Sequence, residues 1–378
     1  MKLSFTALVL IFCGVCVTSI KAESGIEANN AARQTSVPIL KLKNTIDLGF
    51  VGPSSVIEKL SFSPDGHYLA IVDNASIMKT DIVVWDLQRN KMQSHIHSPI
   101  DYGDSLSNDL LWSRDGKAIY FGAKNQWDPI SGESLPDSLV IGRAARLNKD
   151  GDKLFTIVGD VVSPSYIYIY DTKDWSVKKI YADGLYVGTA AWTSENKIML
   201  GVWGTKNTIN KMMDGRFLAA MDVGLRLIDP LGNSPTKTIW YPAVPDDRPH
   251  YYPWTRSADV SLSASSYASN QIALGAGQII DGRTMNILTY YSHDELVNKI
   301  SLAASGGMVF SADGRYLFLK DLRSIEIGGS HATNVIIDAS TGKVVSRFNG
   351  GHKGIAISPN GKSLAIGDLN SVQVFDLQ

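Results

Sequence analysis

Leu60–Val72, LSFSPDGHYLAIV, reads as a strand, a Ser-Pro-Asp-Gly turn and a second strand. Pro pre-sets the first corner of such a turn, Asp caps the backbone beyond it, and Gly takes the left-handed conformation that other residues resist. The runs on either side are rich in aliphatic, β-branched and aromatic residues, which suits strands. The unit returns at Leu110–Phe121 (LLWSRDGKAIYF), Ala145–Val158 (ARLNKDGDKLFTIV), Ala190–Val202 (AAWTSENKIMLGV), Met308–Leu319 (MVFSADGRYLFL) and Ile355–Ile366 (IAISPNGKSLAI). A degenerate copy without the Gly lies at Val260–Leu274 (VSLSASSYASNQIAL). The turn Gly or its counterpart falls at Gly66, Gly116, Gly151, Asn196, Asn270, Gly314 and Gly361. The mean step is about 49 residues, close to the length of a four-stranded blade repeat.

Most copies are followed by a third strand that closes on an acidic or aromatic pair. Examples are IVVWDLQRNK from Ile82, YIYIYDTKDW from Tyr166, LRLIDPLGN from Leu225, VIIDASTGK from Val335 and VQVFDLQ from Val372. Seven short antiparallel sheets strung along one chain predict an all-β fold, a seven-bladed β-propeller over residues 37–378. The last copy ends on its third strand, while PILKLKNTI (Pro38–Ile46) is an alternating strand with no copy of its own. Pairing the two lets the N-terminal strand complete the last blade and closes the ring without an exposed edge.

The final repeat, from Gly351, resembles a WD-repeat: Gly351 and His352 stand at the GH position, and Phe375 and Asp376 where Trp and Asp would be. Trp85 and Asp86 match that ending directly. The other blades lack the GH pair and most lack WD, so the chain resembles a divergent, bacterial-type WD-repeat-like propeller family. The resemblance implies the fold, and for His352 a place in a hydrogen-bond network bracing its blade. It implies no particular activity, because such folds host many.

Met1 and Lys2 lead into an apolar stretch, Ala7–Val17, followed by small and polar residues up to Ala22. This is the layout of a secretory signal peptide over residues 1–22, cleaved after Ala22. Its apolar run falls short of the ~20 residues of a comfortable membrane span. Residues 23–36 have no hydrophobic periodicity and read as a disordered lead-in. Cys13 and Cys16 both fall inside the signal, and neither follows the small residues that lipid attachment needs. The mature chain is therefore expected to carry no thiol chemistry, and its expected location is periplasmic or secreted. With 36 basic and 37 acidic side chains and no block of like charge, nothing points to nucleic acid or an anionic membrane as a partner.

In a four-stranded blade the 1–2 and 3–4 connections emerge on one face of the ring, and the 2–3 and blade-to-blade connections on the other. The first kind are mostly short turns here. The long insertions, 97–107, 205–216, 243–257, 293–305 and 320–333, all fall on the opposite face, where binding residues are expected to concentrate. PAVPDDRPHYYPWTR, from Pro242, supplies Arg248, His250, Tyr251, Tyr252, Trp254 and Arg256, types enriched at interface anchors. The competing reading packs its aromatics into the channel or onto neighbouring loops. NTINKMMDGRF, from Asn207, sets Met212 and Met213 beside Phe217, a pliable apolar surface suited to a protein partner. Its competing reading is a short lid helix packed on the ring.

His95 and His97 project to one side of a strand, as metal ligands would. No third ligand lies nearby in sequence, so a solvated strand edge is preferred, and no metal or other cofactor is expected. There is no GxSxG, HExxH, P-loop or CxxCH pattern. Ile336–Phe348, IIDASTGKVVSRF, resembles a blade motif of quinone-dependent propeller dehydrogenases, but those carry Trp where this chain has Ser346, and it reads as an ordinary hairpin. The sequence therefore favours an exported, non-enzymatic module that binds a protein partner through its loop-rich face. The runner-up is a metal-dependent hydrolase or lactonase with its site at the channel mouth, which needs no contiguous motif. A small-molecule sensor built on the aromatic loop is a third reading.

Overall fold

The computed structural model describes residues 37–378 except 50–56, 77–78, 99–109, 122–124, 137–142, 159–164, 183, 214–215, 233–235, 242–261, 276, 292–306, 322–332, 350–353 and 369. The signal and lead-in segments and His352 lie outside the described residues. Strand β1 (Leu40–Asp47) precedes the first blade, which is β2 (Ile57–Phe62), β3 (Tyr68–Ser76), β4 (Lys79–Asp86) and β5 (Lys91–Ser98). The second has three strands among the described residues, β6 (Leu111–Trp112), β7 (Ile119–Phe121) and β8 (Asn125–Trp127). The third is β9 (Arg143–Leu147), β10 (Lys153–Val158), β11 (Tyr166–Asp171) and β12 (Val177–Tyr181), and the fourth is β13 (Tyr186–Trp192), β14 (Ile198–Met213), β15 (Arg216–Ile228) and β16 (Lys237–Tyr241). The fifth is β17 (Leu262–Ser266), β18 (Gln271–Leu274), β19 (Gln278–Asp281) and β20 (Ile287–Tyr290), and the sixth is β21 (Met308–Phe310), β22 (Tyr316–Asp321), β23 (Thr333–Asp338) and β24 (Val344–Asn349).

The seventh blade joins the two ends of the chain. Its strands run β25 (Ile355–Ile357), β26 (Ser363–Gly367), β27 (Ser371–Leu377) and then β1. β1 lies antiparallel to β27 from Leu40 opposite Leu377 to Asp47 opposite Ser371. The first strands of the blades touch in cyclic order, β2 to β6, β9, β13, β17, β21, β25 and back to β2. That closed circuit makes the seven sheets a ring, with the first strand of each blade innermost.

The alternation of the strands explains why blades stack. Leu69 and Ile71 point into the core shared with the seventh blade, and Ala70 and Val72 into the core shared with the second. Seven such cores are present among the described residues, one at each junction between successive blades. Both faces of a blade are buried, so its middle strands read as continuous apolar runs; each fully buried aliphatic side chain contributes about 1.5–3 kcal/mol.

The seven turn positions picked out by sequence share one backbone conformation. Gly66, Gly116, Gly151, Gly314 and Gly361 have φ between 68° and 72°, and Asn196 and Asn270 stand at 57° and 53°. Asn tolerates this region better than most non-glycine residues. In the first blade Ser63 Oγ donates to Asp65 Oδ1 (2.6 Å), which also accepts the His67 N–H, while Ser63 Oγ accepts the Tyr68 N–H. Ser113 with Asp115, Ser311 with Asp313 and Ser358 with Asn360 repeat the pattern.

The third strands end on a second device. Asp86, Asp128, Asp171, Asp229, Asp281 and Asp338 each accept backbone N–H groups from the following 3–4 turn. The fourth strand of one blade then grips the 3–4 turn of the next. Ser94 Oγ donates to Pro129 O (2.6 Å), Lys178 Nζ to Pro230 O (2.5 Å) and Lys237 Nζ to Thr284 O (3.0 Å).

Candidate functional site

The two faces of the ring are built differently. On the 1–2 and 3–4 side the 1–2 turns of the third, fourth and fifth blades bond to one another. Asn148 Nδ2 donates to Asn196 Oδ1 (3.1 Å), Ser194 Oγ to Asn270 Oδ1 (2.6 Å), and Tyr267 Oη reaches from the fifth blade to Leu147 O in the third (2.9 Å). Burial pushes the Tyr267 phenol up to about 12, against a smaller opposing effect of Arg146, so it remains a hydrogen-bond donor at neutral pH.

On the opposite side the fourth blade extends into an arm. β13 stops pairing at Tyr186 opposite Trp203, and β16 at Val223 opposite Tyr241. β14 and β15 run on together past these points, through an irregularity between Gly204 and Ile209, to Met213 opposite Arg216. Seven residues of β15 at about 3.3 Å each give the arm a reach of roughly 20 Å. Segment 205–216 is therefore a β-hairpin, which corrects the lid-helix reading. NTINK and RFLAAM are short runs without Pro, and the hydrogen-bond ladder of the blade propagates into them. Met212 lies directly opposite Phe217 at the end of the arm.

A third feature stands on the outer strands of the first blade. Asp81 on β4 is directly opposite His97 on β5, and His95 lies two residues back on the same side. Val83 belongs to the core between the seventh and first blades, while Ile82 and Ile96 face the second. Alternation thus places Asp81, His95 and His97 together on the seventh-blade side. Asp81 Oδ1 is 3.0 Å from His97 Nδ1, and Oδ2 is 3.2 Å from His95 Nε2. The two rings are 4.2 Å apart at 48°. Asp81 and His95 are largely covered, whereas His97 is open to solvent. The wholly buried Asp73 on β3 is directly opposite Asp81.

No protein-family model matches the chain. No curated protein matches it either. Among solved structures, a crystal structure of a eukaryotic initiation factor is similar over 85% of this chain and 73% of that one, at 14% identity and a TM-score of 0.38. So faint a likeness carries no argument, and the ring is read from the strand pairing of this chain.

Of the residues singled out by sequence, Arg248, His250, Tyr251, Tyr252, Trp254 and Arg256 lie outside the described residues. Met212 and Met213 end β14 and Phe217 lies near the start of β15, so the backbone brings all three to the tip of the arm. Ile336–Phe348 is a hairpin, with Gly342 at φ 70° in its turn. Asp81 is the residue that sequence reading missed. Counting back from the turn where Asp86 faces Lys91 would set Asp81 against Ile96, with both histidines on the other side. A bulge at Gln93, between the pairs Val84–Ser94 and Trp85–Met92, shifts the register by one and reverses that. Asp81, His95 and His97 are the only group of three potential metal ligands among the described residues, and they stand at the outer rim, away from the channel mouth.

Proposed function

We propose that the chain is an interaction module: a rigid ring that holds a protein partner on the face bearing the β14–β15 arm and the long connections. The observation that supports this reading is the contrast between the two faces. On one, the 1–2 turns of the third, fourth and fifth blades bond to one another, while the other carries a two-stranded arm neither of whose edges is paired among the described residues. An unpaired strand edge can add a strand from a partner, with backbone hydrogen bonds giving affinity and alternate side chains giving selectivity. The module acts outside the cytoplasm, in keeping with the signal-like start of the chain and with both cysteines lying inside it.

A photoreactive residue placed at Lys211 on the arm, compared with one at the exposed Leu231 on the turn face, tests this. Crosslinking in the native host should give a discrete adduct from position 211 and none from 231, and replacing 205–215 by a two-residue turn should abolish binding of the protein so captured. Equal adducts from both positions would sink the reading.

A further inference from the structure

We propose that Asp81, His95 and His97 form a binding site for one divalent transition-metal ion of the zinc type, independent of any partner on the arm. Two imidazoles and a carboxylate are the donor set of an open three-ligand site, which leaves a position for water or an exogenous ligand. At metal–ligand distances of about 2.0–2.2 Å, neighbouring donors of a tetrahedral ion lie roughly 3.3–3.6 Å apart. Here His97 Nδ1 is 3.0 Å from Asp81 Oδ1 and His95 Nε2 is 3.2 Å from Asp81 Oδ2, and one donor atom from each of the three residues lies within 4.8 Å of the other two.

The strand register explains which ring nitrogen each histidine offers. His97 is directly opposite Asp81 and presents the nearer Nδ1, whereas His95 approaches along the diagonal and presents the farther Nε2. Both nitrogens converge on one carboxylate from the same face of the sheet. The two imidazole nitrogens in the donor set favour Zn2+ and its first-row neighbours over Ca2+ or Mg2+, which take oxygen ligands. The exposed His97 leaves the open side of the ion towards solvent.

The competing account is a carboxylate that accepts hydrogen bonds from two neutral histidines, with no ion. The two differ in tautomer. Hydrogen bonding puts the protons on His95 Nε2 and His97 Nδ1, whereas metal ligation leaves those nitrogens bare and moves the protons to His95 Nδ1 and His97 Nε2.

The test titrates the full, tag-free chain with Zn2+ by calorimetry and with Co2+ by visible absorption, alongside Asp81→Asn, His95→Gln, His97→Gln and the control His67→Gln. His67 is chosen because it meets Asp86 at 3.3 Å with no second histidine among the described contacts. The expected result is saturable 1:1 uptake by wild type and His67→Gln, a cobalt spectrum of low coordination number, and at least a tenfold loss of affinity in each of the other three. His97 is exposed, so His97→Gln keeps the test decisive should another variant fail to fold. Absence of 1:1 uptake by wild type, or uptake unchanged in His97→Gln, would overturn the proposal.

Discussion

Asn44, on the strand that completes the last blade, donates a hydrogen bond from its side-chain amide to the side chain of Asn90, in the 3–4 turn of the first blade. It makes the same kind of grip that Ser94, Lys178 and Lys237 make between successive blades, so β1 stands where a fourth strand belongs on both of its sides. Ile46, on the same strand, is wholly buried in the core between the seventh and first blades. Ile46→Ala should lower stability by about 2–5 kcal/mol. Deleting 38–47 should abolish a single cooperative transition in urea; a deletion that unfolds like the parent would refute the closed ring.

Gly66 and Gly342 share nearly the same backbone angle, φ 71° and 70°, in different surroundings. A methyl group on Gly66 would meet nothing within 4 Å, while on Gly342 it would collide with the Tyr290 carbonyl of the preceding blade. Gly66→Ala should cost about 1–2 kcal/mol, the strain of a left-handed residue alone. Gly342→Ala adds a clash of about 1–3 kcal/mol more. Paired chemical denaturation curves measure the difference, and equal losses would show that the two turns do not differ in packing.

Acid should weaken the ring through its turns. Burial alone would raise the Asp86 carboxyl, but hydrogen bonds from the Arg89 and Gln88 N–H groups, with His67 and Arg89 nearby, hold it below the ordinary 3.8. At Asp338 burial likewise opposes the charge, and bonds from Ser340 and Thr341 overcome it. A carboxyl whose folded value is depressed stabilises the fold fully above its unfolded value and loses that contribution as the pH falls through the folded one. Thermal midpoints should be flat from pH 7 to about 5 and drop below about 4. Asp86→Asn combined with Asp338→Asn should be less stable at pH 7 and show a shallower drop.

Trp112 and Trp192 occupy the same place in the second and fourth blades, and each donates from its indole N–H to the innermost strand of the blade before, to Ser61 O (3.0 Å) and Arg146 O (2.9 Å). Phe at either position keeps an aromatic ring but leaves a carbonyl without its donor, at a cost of about 1–3 kcal/mol. The two losses should add, because the sites share no partner. Strong non-additivity in a double-mutant cycle would argue against two separate junctions.

The repeat was legible because its chemistry is local. SPDG and its variants dictate a left-handed corner wherever they occur, and even Asn196 and Asn270, with no glycine, could be placed by spacing. β1 was legible because PILKLKNTI alternates and had no other sheet to join. What stayed hidden depended on register. The bulge at Gln93 is invisible to counting, so Asp81 was not seen to meet His95 and His97. The arm was read as a loop or a helix because nothing local says that a hairpin continues past the sheet that nucleates it.

Leu40 and Leu377 face each other although nearly the whole chain separates them. The earliest strand of the ring to be made therefore has no sheet to join until the last one arrives. Contacts so distant in sequence form slowly, so closure is expected to come late in folding. Until then β1 is a bare edge, and its exposed Lys41 and Lys43, which would repel a second copy, suit a strand that must wait.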